Sequence, residues 1–384
     1  MELIIHRGAK EIGGSAVELR SRGARVLLDL GMSLDADRRE DLPAIDGLYK
    51  GSMPKFDAIL LSHAHLDHWG LLPHAHPQIP IYLSPGSKVL LEVSAEYLHQ
   101  KKPNGEMHTF AMGEPLRIGD MTITPHLMDH SAYDAAAFEI AADEQRIVYT
   151  GDFRDHGRKP GALERFLKAV FPRPDALLCE GTTLGRSGGT AQTEQALEEA
   201  IARKLCATDG IALFQCAGQN IDRLVTFYKA ARRSGRTMVI DAYTAEVLAR
   251  LNKATTSIPS VGTHKGLSRF APRDARKTLR LVRPSMLPKL AASKAIHGGI
   301  FIYSLWQGYR DQEKQKAFEA FLAERGFEMA VMHTSGHADA RTLKAVIERL
   351  EPKRVIPIHS FAPEGFKEFT EKVVLAEDGE LITI

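Results

Sequence analysis

The run LLSHAHLDHWG, residues 60–70, sets His63, His65, Asp67 and His68 within six consecutive positions. All four side chains are metal donors, and the run is too short for all of them to close comfortably around one ion. On extended chain, alternate side chains share a face, so His63 and His65 can grip one ion. Asp67 and His68 follow where the loop is expected to enter a helix, and they can face a second ion beside the first. The pattern reads as ligands partitioned between two metals. Imidazole and carboxylate suit zinc, with manganese as an alternative. Two ions roughly 3.5–4 Å apart can hold a hydroxide between them and clamp a phosphate under in-line attack.

Completing two coordination spheres needs donors from other strand ends. His130 in MDHSAYDA, Asp152 in YTGDFR and His359 in VIPIHS each follow an apolar, strand-like run, and the Asp152 carboxylate could bridge both ions. The elements that would carry them fall into two textures. Up to about residue 185 the chain is strand-rich: AVELRSRGARVLLDLG reads as two strands about a Gly turn, and FDAILLS, IPIYLSP, MTITPHLMD, AAFEIAADEQRIVYTGD and DALLCEG follow. From there strands alternate with helices of 10–15 residues. TEQALEEAIARKL repeats Leu197, Ile201 and Leu205 at spacing four, and NIDRLVTFYKAARRSG offers Ile221, Leu224, Val225 and Tyr228 as its apolar face. That alternation is expected to give a parallel α/β unit. After it come the helix ARTLKAVIERL, the strand RVIPIHS and a closing VVLAEDGELITI.

Composition excludes several classes. With 384 residues, 26% charged and a net charge of +2, the chain is an ordinary globular protein and no polycation. Attraction for nucleic acid would have to come from a local patch. Cys179, Cys206 and Cys216 are too few and scattered for a disulfide framework, and are expected to be reduced, buried thiols in the cytoplasm. No apolar run approaches the ~20 residues of a membrane span, and the N-terminus lacks a signal-peptide pattern.

SHAHLDH resembles the signature of the metallo-β-lactamase fold, and Asp29 in LLDLG, His130 and Asp152 follow in the order of that family's other motifs. LLCEGTT sets Glu180, HTSGHA sets His337 and IPIHS sets His359 where the β-CASP branch has its three further motifs. CAGQNIDRLVTFYKAA is also similar to the inserted cassette of that branch, which includes ribonuclease J and the cleavage nuclease of the polyadenylation machinery. The resemblance implies an α/β fold: an αββα sandwich in two parts, 1–185 and 331–384, with a β-CASP domain at 186–330. Ribonuclease J's extra C-terminal domain and a preceding RNA-binding domain are expected to be missing.

The implied activity is metal-dependent hydrolysis of phosphodiester bonds in RNA or single-stranded DNA, with 5′ exonuclease action included. The alternatives are a small ester or thioester hydrolase and a non-catalytic nucleic-acid-processing scaffold. By resemblance one zinc (or manganese) takes His63, His65, His130 and Asp152, and the other takes Asp67, His68, Asp152 and His359. Asp29 supports the ligands by hydrogen bonds, His337 donates a proton to the leaving oxygen, and Glu180 orients it. Ser335 is expected to touch a substrate phosphate. The partner implied is nucleic acid rather than a membrane, with oligomerisation left open. Residues 265–294 carry nine Lys or Arg against one acid, Asp274. Arg273, Arg276 and Arg280 in this stretch could hold a phosphate backbone. Phe270 and Trp306 could stack on bases, but as large aromatics both are expected in the core, as is Trp69.

Overall fold

The computed structural model describes residues 1–35, 41–186, 191–255, 258–293 and 296–384. Lys294, the last cation of the basic stretch, lies outside them. The chain divides into two compact units: Met1–Asp155, Lys159–Thr190 and Gly336–Ile384 form the first, and His156–Arg158 with Ala191–Ser335 form the second. These breaks fall five residues beyond each expected boundary. At the second break the reason is a strand, Phe327–Val331, which completes the second unit's sheet.

The first unit holds two sheets. One contains β1 (Glu2–Arg7), β2 (Ala16–Arg20), β3 (Arg25–Leu28), β4 (Ala58–Leu60), β5 (Ile81–Leu83) and β6 (Met107–Thr109). The other contains β7 (Leu116–Ile118), β8 (Met121–Leu127), β9 (Ala136–Ala142), β10 (Gln145–Tyr149) and β11 (Ala176–Glu180). Two late strands, Val355–Ile358 and Leu381–Thr383, add to the β11 edge and the β1 edge respectively. Leu3, Val17, Leu19, Val26 and Leu28 of the first sheet meet Phe138, Ile140, Ile147, Leu178 and Ile356 of the second in one core. On the second sheet's other face Val148, Leu177 and Cys179 pack on Phe166, Leu343, Val346 and Ile347 of helices Ala162–Ala169 and Ala340–Leu350. ALLCE is buried at all five positions because β11 lies between two parallel neighbours and is covered on both faces.

Strand direction decides where chemistry can gather. β3, β4 and β5 run parallel in one sheet, and β10, β11 and Val355–Ile358 run parallel in the other. Their carboxyl ends deliver Asp29, His63, Asp152, Glu180 and His359, where open α/β sheets characteristically bind ligands.

The second unit is a wholly parallel six-stranded sheet. It is built from β12 (Ala212–Gln215), β13 (Thr237–Val239), β14 (Leu267–Ser268), β15 (Thr278–Leu281), β16 (Gly299–Tyr303) and β17 (Phe327–Val331), in the order 14-13-15-12-16-17. Leu197, Ile201 and Leu205 are buried as their spacing requires. Helix Ile221–Arg233 buries Ile221, Leu224, Phe227 and Ala231, while Val225 and Tyr228 stay half-exposed. The apolar face is rotated because the opposite side is buried too, by polar pairing: fully buried Arg223 binds Glu194, Ser304 and the Thr334 carbonyl. Cys179 and Cys216 are buried, but Cys206 is exposed at the end of its helix.

One buried carboxylate ties β2 to its neighbours. Glu18 accepts from His6 Nε2 at 2.7 Å, from Arg25 Nε at 2.6 Å and from Arg20. Burial opposes its ionisation, yet the His6, Arg25 and Arg20 hydrogen bonds bring its pKa from 4.5 to about 2. The unfolded chain therefore takes up this proton first. The contribution is complete above pH 4.5 and disappears as pH falls toward 2, and it amounts to at most about 3 kcal/mol. Urea melts at pH 7 and pH 3 should show Glu18→Gln losing less stability across that interval than the parent. Equal losses would show that Glu18 does not carry this dependence.

Candidate metal centre

All nine titratable residues expected to bind metal or act in catalysis lie in the first unit. His63, His65 and His130 form one group of donors, Asp67, His68, Asp152 and His359 a second, and Asp152, Glu180, His337 and His359 a third, with donor atoms in each within 4.8 Å of one another. The second group has the membership expected for one ion, and the first holds the three histidines expected for the other, without Asp152. Residues 66–69 do form a helical turn, and its carbonyls are received by the loop after β3: Leu30 N–H donates to His68 O and Met32 N–H to Leu66 O. Gly31 makes that approach possible, since a Cβ there would lie 1.7 Å from the Asp67 carbonyl oxygen.

Hydrogen bonds fix which nitrogen each imidazole offers. His68 Nδ1 donates to Asp29 at 2.8 Å, and His63 Nδ1 lies 3.0 Å from Ser62 Oγ, which itself donates to Asp29. His130 Nδ1 donates to the Gly336 carbonyl at 2.6 Å, and His359 Nδ1 meets Thr182 Oγ1 at 2.8 Å. In each ring this leaves Nε2 as the nitrogen turned toward the other donors, the arrangement in which a neighbour sets tautomer and aim, and His359 Nε2 lies 3.2 Å from Asp67 Oδ2. His63 Nε2 and His68 Nε2 are buried and make no hydrogen bond among the described residues. His130 Nε2 and His65 Nδ1 lie 3.2 Å apart. Two nitrogens turned on one point suit a shared cation better than each other.

Asp152 is the centre of the arrangement. Both its oxygens are buried without a hydrogen-bond donor among the described residues. His68 Nε2 approaches to 3.2 Å, out of hydrogen-bonding alignment, and His63 Nε2 and His130 Nε2 lie at 3.8 and 4.0 Å. Burial disfavours the Asp152 anion, but His359, His68 and His337 around it hold the carboxyl well below its usual range. Asp67 is likewise held down against burial, by the His359 hydrogen bond and nearby imidazoles. Burial and the surrounding imidazoles push His63 and His130 well below their ordinary value and take His65 to about 4, so these rings are neutral donors at pH 7. Neutral imidazoles, ionised carboxylates and inward orphaned atoms fit divalent cations. The donor set is that of a metal centre.

Glu180 and His337 stand beside the donors. Glu180 accepts from Phe153 N and Thr182 N, both at 3.1 Å, and its Oε1 lies 3.2 Å from His337 Nδ1. Burial lowers the His337 pKa, but Glu180 and Asp152 outweigh it and raise the value above the ordinary one. Ser335 belongs to the second unit, where its carbonyl meets His156 Nε2 at 2.9 Å. Arg273 and Arg276 are exposed, with Arg276 paired to Asp274, whereas Arg280 lies half-buried within β15. Trp69 is buried as expected, but Phe270 is 81% and Trp306 51% exposed, so the core reading of those two is corrected. Four contributors were not singled out from sequence. Ser62, Tyr149 and Thr182 orient ligands across strands, and Gly336 sits where a Cβ would strike Ser131 Oγ at 2.4 Å.

A beta-lactamase superfamily domain matches residues 24–207, and a Zn-dependent metallo-hydrolase RNA specificity domain matches residues 325–364. Ribonuclease J of Sinorhizobium meliloti is 22% identical over 334 residues, which are 79% of this chain and 58% of that protein. Ribonuclease J of Mycobacterium tuberculosis is 24% identical over 386 aligned residues, 92% of this chain and 67% of that protein. Transcription termination factor FttA of Methanothermobacter thermautotrophicus is 27% identical over 219 residues, 50% of this chain and 33% of its own. This chain therefore spans between a third and two-thirds of the length of these relatives. A crystal structure of a protein of unknown function from Enterococcus faecalis shares the fold, with a TM-score of 0.82, 22% identity and coverage of 100% of this chain and 99% of that one. No helix among the described residues is long and apolar enough to cross a membrane.

Asp29 receives four donors: Ser62 N and Oγ, both at 2.7 Å, His68 Nδ1 at 2.8 Å and Tyr149 OH at 2.6 Å. Asp29→Ala would strand buried donors and free the His68 ring. Loss of such a supporting partner typically weakens metal binding about 10–100-fold. Titration of the chelated variant with zinc should show that loss, together with a lower melting temperature. Unchanged zinc affinity would remove Asp29 from the site's support.

Proposed function

We propose that the chain is a metal-dependent nuclease of the metallo-β-lactamase superfamily and its β-CASP branch, hydrolysing phosphodiester bonds of single-stranded nucleic acid, RNA first. The observation that carries this reading is Asp152: its oxygens accept no hydrogen bond among the described residues, and its Oδ2 lies 3.8 and 4.0 Å from His63 and His130 Nε2 and 3.2 Å from His68 Nε2. His63, His65, His130 and Asp152 would hold one divalent ion, and Asp67, His68, Asp152 and His359 a second, with zinc the better match to the donors and manganese the alternative. Bound there, such ions supply Lewis acidity toward a phosphate and lower the pKa of a water between them.

The chain's own groups do the rest. The inward Nε2 atoms and carboxylates hold the reacting phosphate's surroundings fixed before substrate arrives, so little reorganisation remains for the reaction itself. Water adds to phosphorus, the bond to the leaving oxygen breaks, and that oxygen needs a proton. His337 is the donor in this reading, supported by its 3.2 Å contact with Glu180. Glu180 is itself pinned by two backbone N–H groups and keeps the ring oriented. Exposed Arg273 and Arg276, half-buried Arg280 and the Ser335 hydroxyl are candidates for holding phosphates of the substrate. Phosphate contacts of this kind position a substrate without reading its bases.

Labelled single-stranded RNA and DNA, offered to chelated and to metal-reconstituted protein, test the reading. Cleavage should require metal. A small ester or thioester turned over while both oligonucleotides stay intact would overturn it. His337→Ala should reduce oligonucleotide cleavage roughly 10²–10⁴-fold, the usual worth of a general acid. On a bis(p-nitrophenyl) phosphate ester, whose leaving group needs no proton, the same variant should lose little. Equal losses on both substrates would assign His337 another role.

A further inference from the structure

The two units carry opposite charge. The second, residues 156–158 and 191–335, has 23 Lys or Arg against 13 Asp or Glu, a net +10 in a chain whose total is +2. Such a body attracts polyanions whatever their sequence. Its sheet is entirely parallel, so the carboxyl ends of its strands form one edge, the usual ligand-binding edge of an open α/β sheet.

Large aromatic rings stand out of that edge. Trp306 follows β16 by three residues and is 51% exposed, and Tyr309, 43% exposed, meets it edge-on with ring centroids 5.3 Å apart. Phe270, two residues after β14, is 81% exposed. Exposed aromatics normally sway, but Trp306 is held. Its backbone carbonyl accepts from Tyr303 OH at 3.0 Å, and the indole lies against Gly308, where an added Cβ would come within 2.3 Å of Cη2. Arg310, beside them, is braced by Glu319 and reaches toward Met329. On this cationic unit the indole keeps about half of its surface exposed to solvent.

We propose that Trp306 and Tyr309 form a base-stacking platform that grips single-stranded nucleic acid on the second unit, with Phe270 a second stacking point further along the same edge. The inference rests on the nuclease reading for its choice of ligand, and it names which side chains would hold the bases. The four strand steps between β14 and β16, at roughly 4.8 Å each, separate the two points by about 20 Å, a distance of a few nucleotides. Stacking accepts any base, because every base has a π-face, so the platform grips without selecting sequence.

The chain's two tryptophans make the test direct, since Trp69 is buried and Trp306 is the exposed one. The chelated chain, residues 1–384, is titrated with a uniform adenine oligonucleotide and with an abasic strand of equal length, followed by tryptophan fluorescence and by anisotropy of a labelled strand. The adenine strand should quench the exposed tryptophan and the abasic strand should not. Trp306→Ala should weaken adenine-strand binding at least about five-fold, the low end of one base's stacking, and leave abasic binding unchanged. Trp306→Phe should restore most of the loss, and matching circular dichroism and melting curves show that the variants are folded. Equal affinity of parent and Trp306→Ala for the adenine strand would overturn the platform, as would equal losses on both strands. Metal-dependent cleavage by the parent, run beside the titration, separates the two ideas: cleavage with an indifferent Trp306 sinks only the platform, whereas neither binding nor cleavage by the parent sinks the nuclease reading itself. A Trp306→Ala effect on self-association in sedimentation, with none on oligonucleotides, would assign the patch to a second copy of the chain instead.

Discussion

The Asp152 carboxylate is buried among imidazoles, and neither of its oxygens accepts a hydrogen bond among the described residues. A buried charge without compensation costs several kcal/mol, so the geometry around it makes sense as a cradle for positive charge. The histidines do not supply that charge freely. His63, His65 and His130 are crowded and desolvated enough to stay neutral. What remains is a ring of nitrogen lone pairs and carboxylate oxygens facing inward, which a cation satisfies and protons alone do not. His68 and His337 are the exceptions: against the effect of burial, Asp152 and Asp29 draw His68 toward the charged form, and Glu180 and Asp152 draw His337.

Holding those donors in place is the work of the two-sheet scaffold. Parallel strands from both sheets end at one edge, so ligands far apart in sequence converge without long loops. Behind them runs a layer of fixed hydrogen bonds in which Asp29 collects four donors, Thr182 meets His359 and the Gly336 carbonyl receives His130. Asp29 and His359 both adopt positive φ, at 60° and 51°, a backbone conformation that non-glycine residues rarely adopt and that tends to cluster at functional sites. Gly31 and Gly336 permit close approaches beside the donors. In the second unit the same logic appears without metal donors, as buried Arg223 joins helix to strand ends through Glu194 and Ser304.

Much of this was legible in the sequence because the information is local. Alternation on extended chain predicts the pairing of His63 with His65, and a polar residue after an apolar run marks His130, Asp152 and His359 as strand-end donors. The helix spacing of Leu197, Ile201 and Leu205 was equally direct. What escaped depends on partners remote in sequence. Nothing near Tyr149 announces that its hydroxyl will meet Asp29, 120 residues away. The buried face of helix Ile221–Arg233 could not be read from apolar residues alone, since Arg223 and Thr226 are buried by hydrogen bonding on the other side. Trp306 and Phe270 look like core residues by type, and only the three-dimensional packing sets them at the surface. The break at Gly336 follows from which sheet claims β17, a pairing that composition does not reveal.

We propose that one buried carboxylate, Asp152, serves two ions. Native mass spectrometry of protein purified without chelator, set beside elemental analysis, counts them directly. Shared ligation by Asp152 predicts two divalent ions per chain in the parent and no more than one in Asp152→Asn, with secondary structure unchanged. A fully active parent that saturates at a single ion, or an Asp152→Asn chain that keeps both, would contradict it.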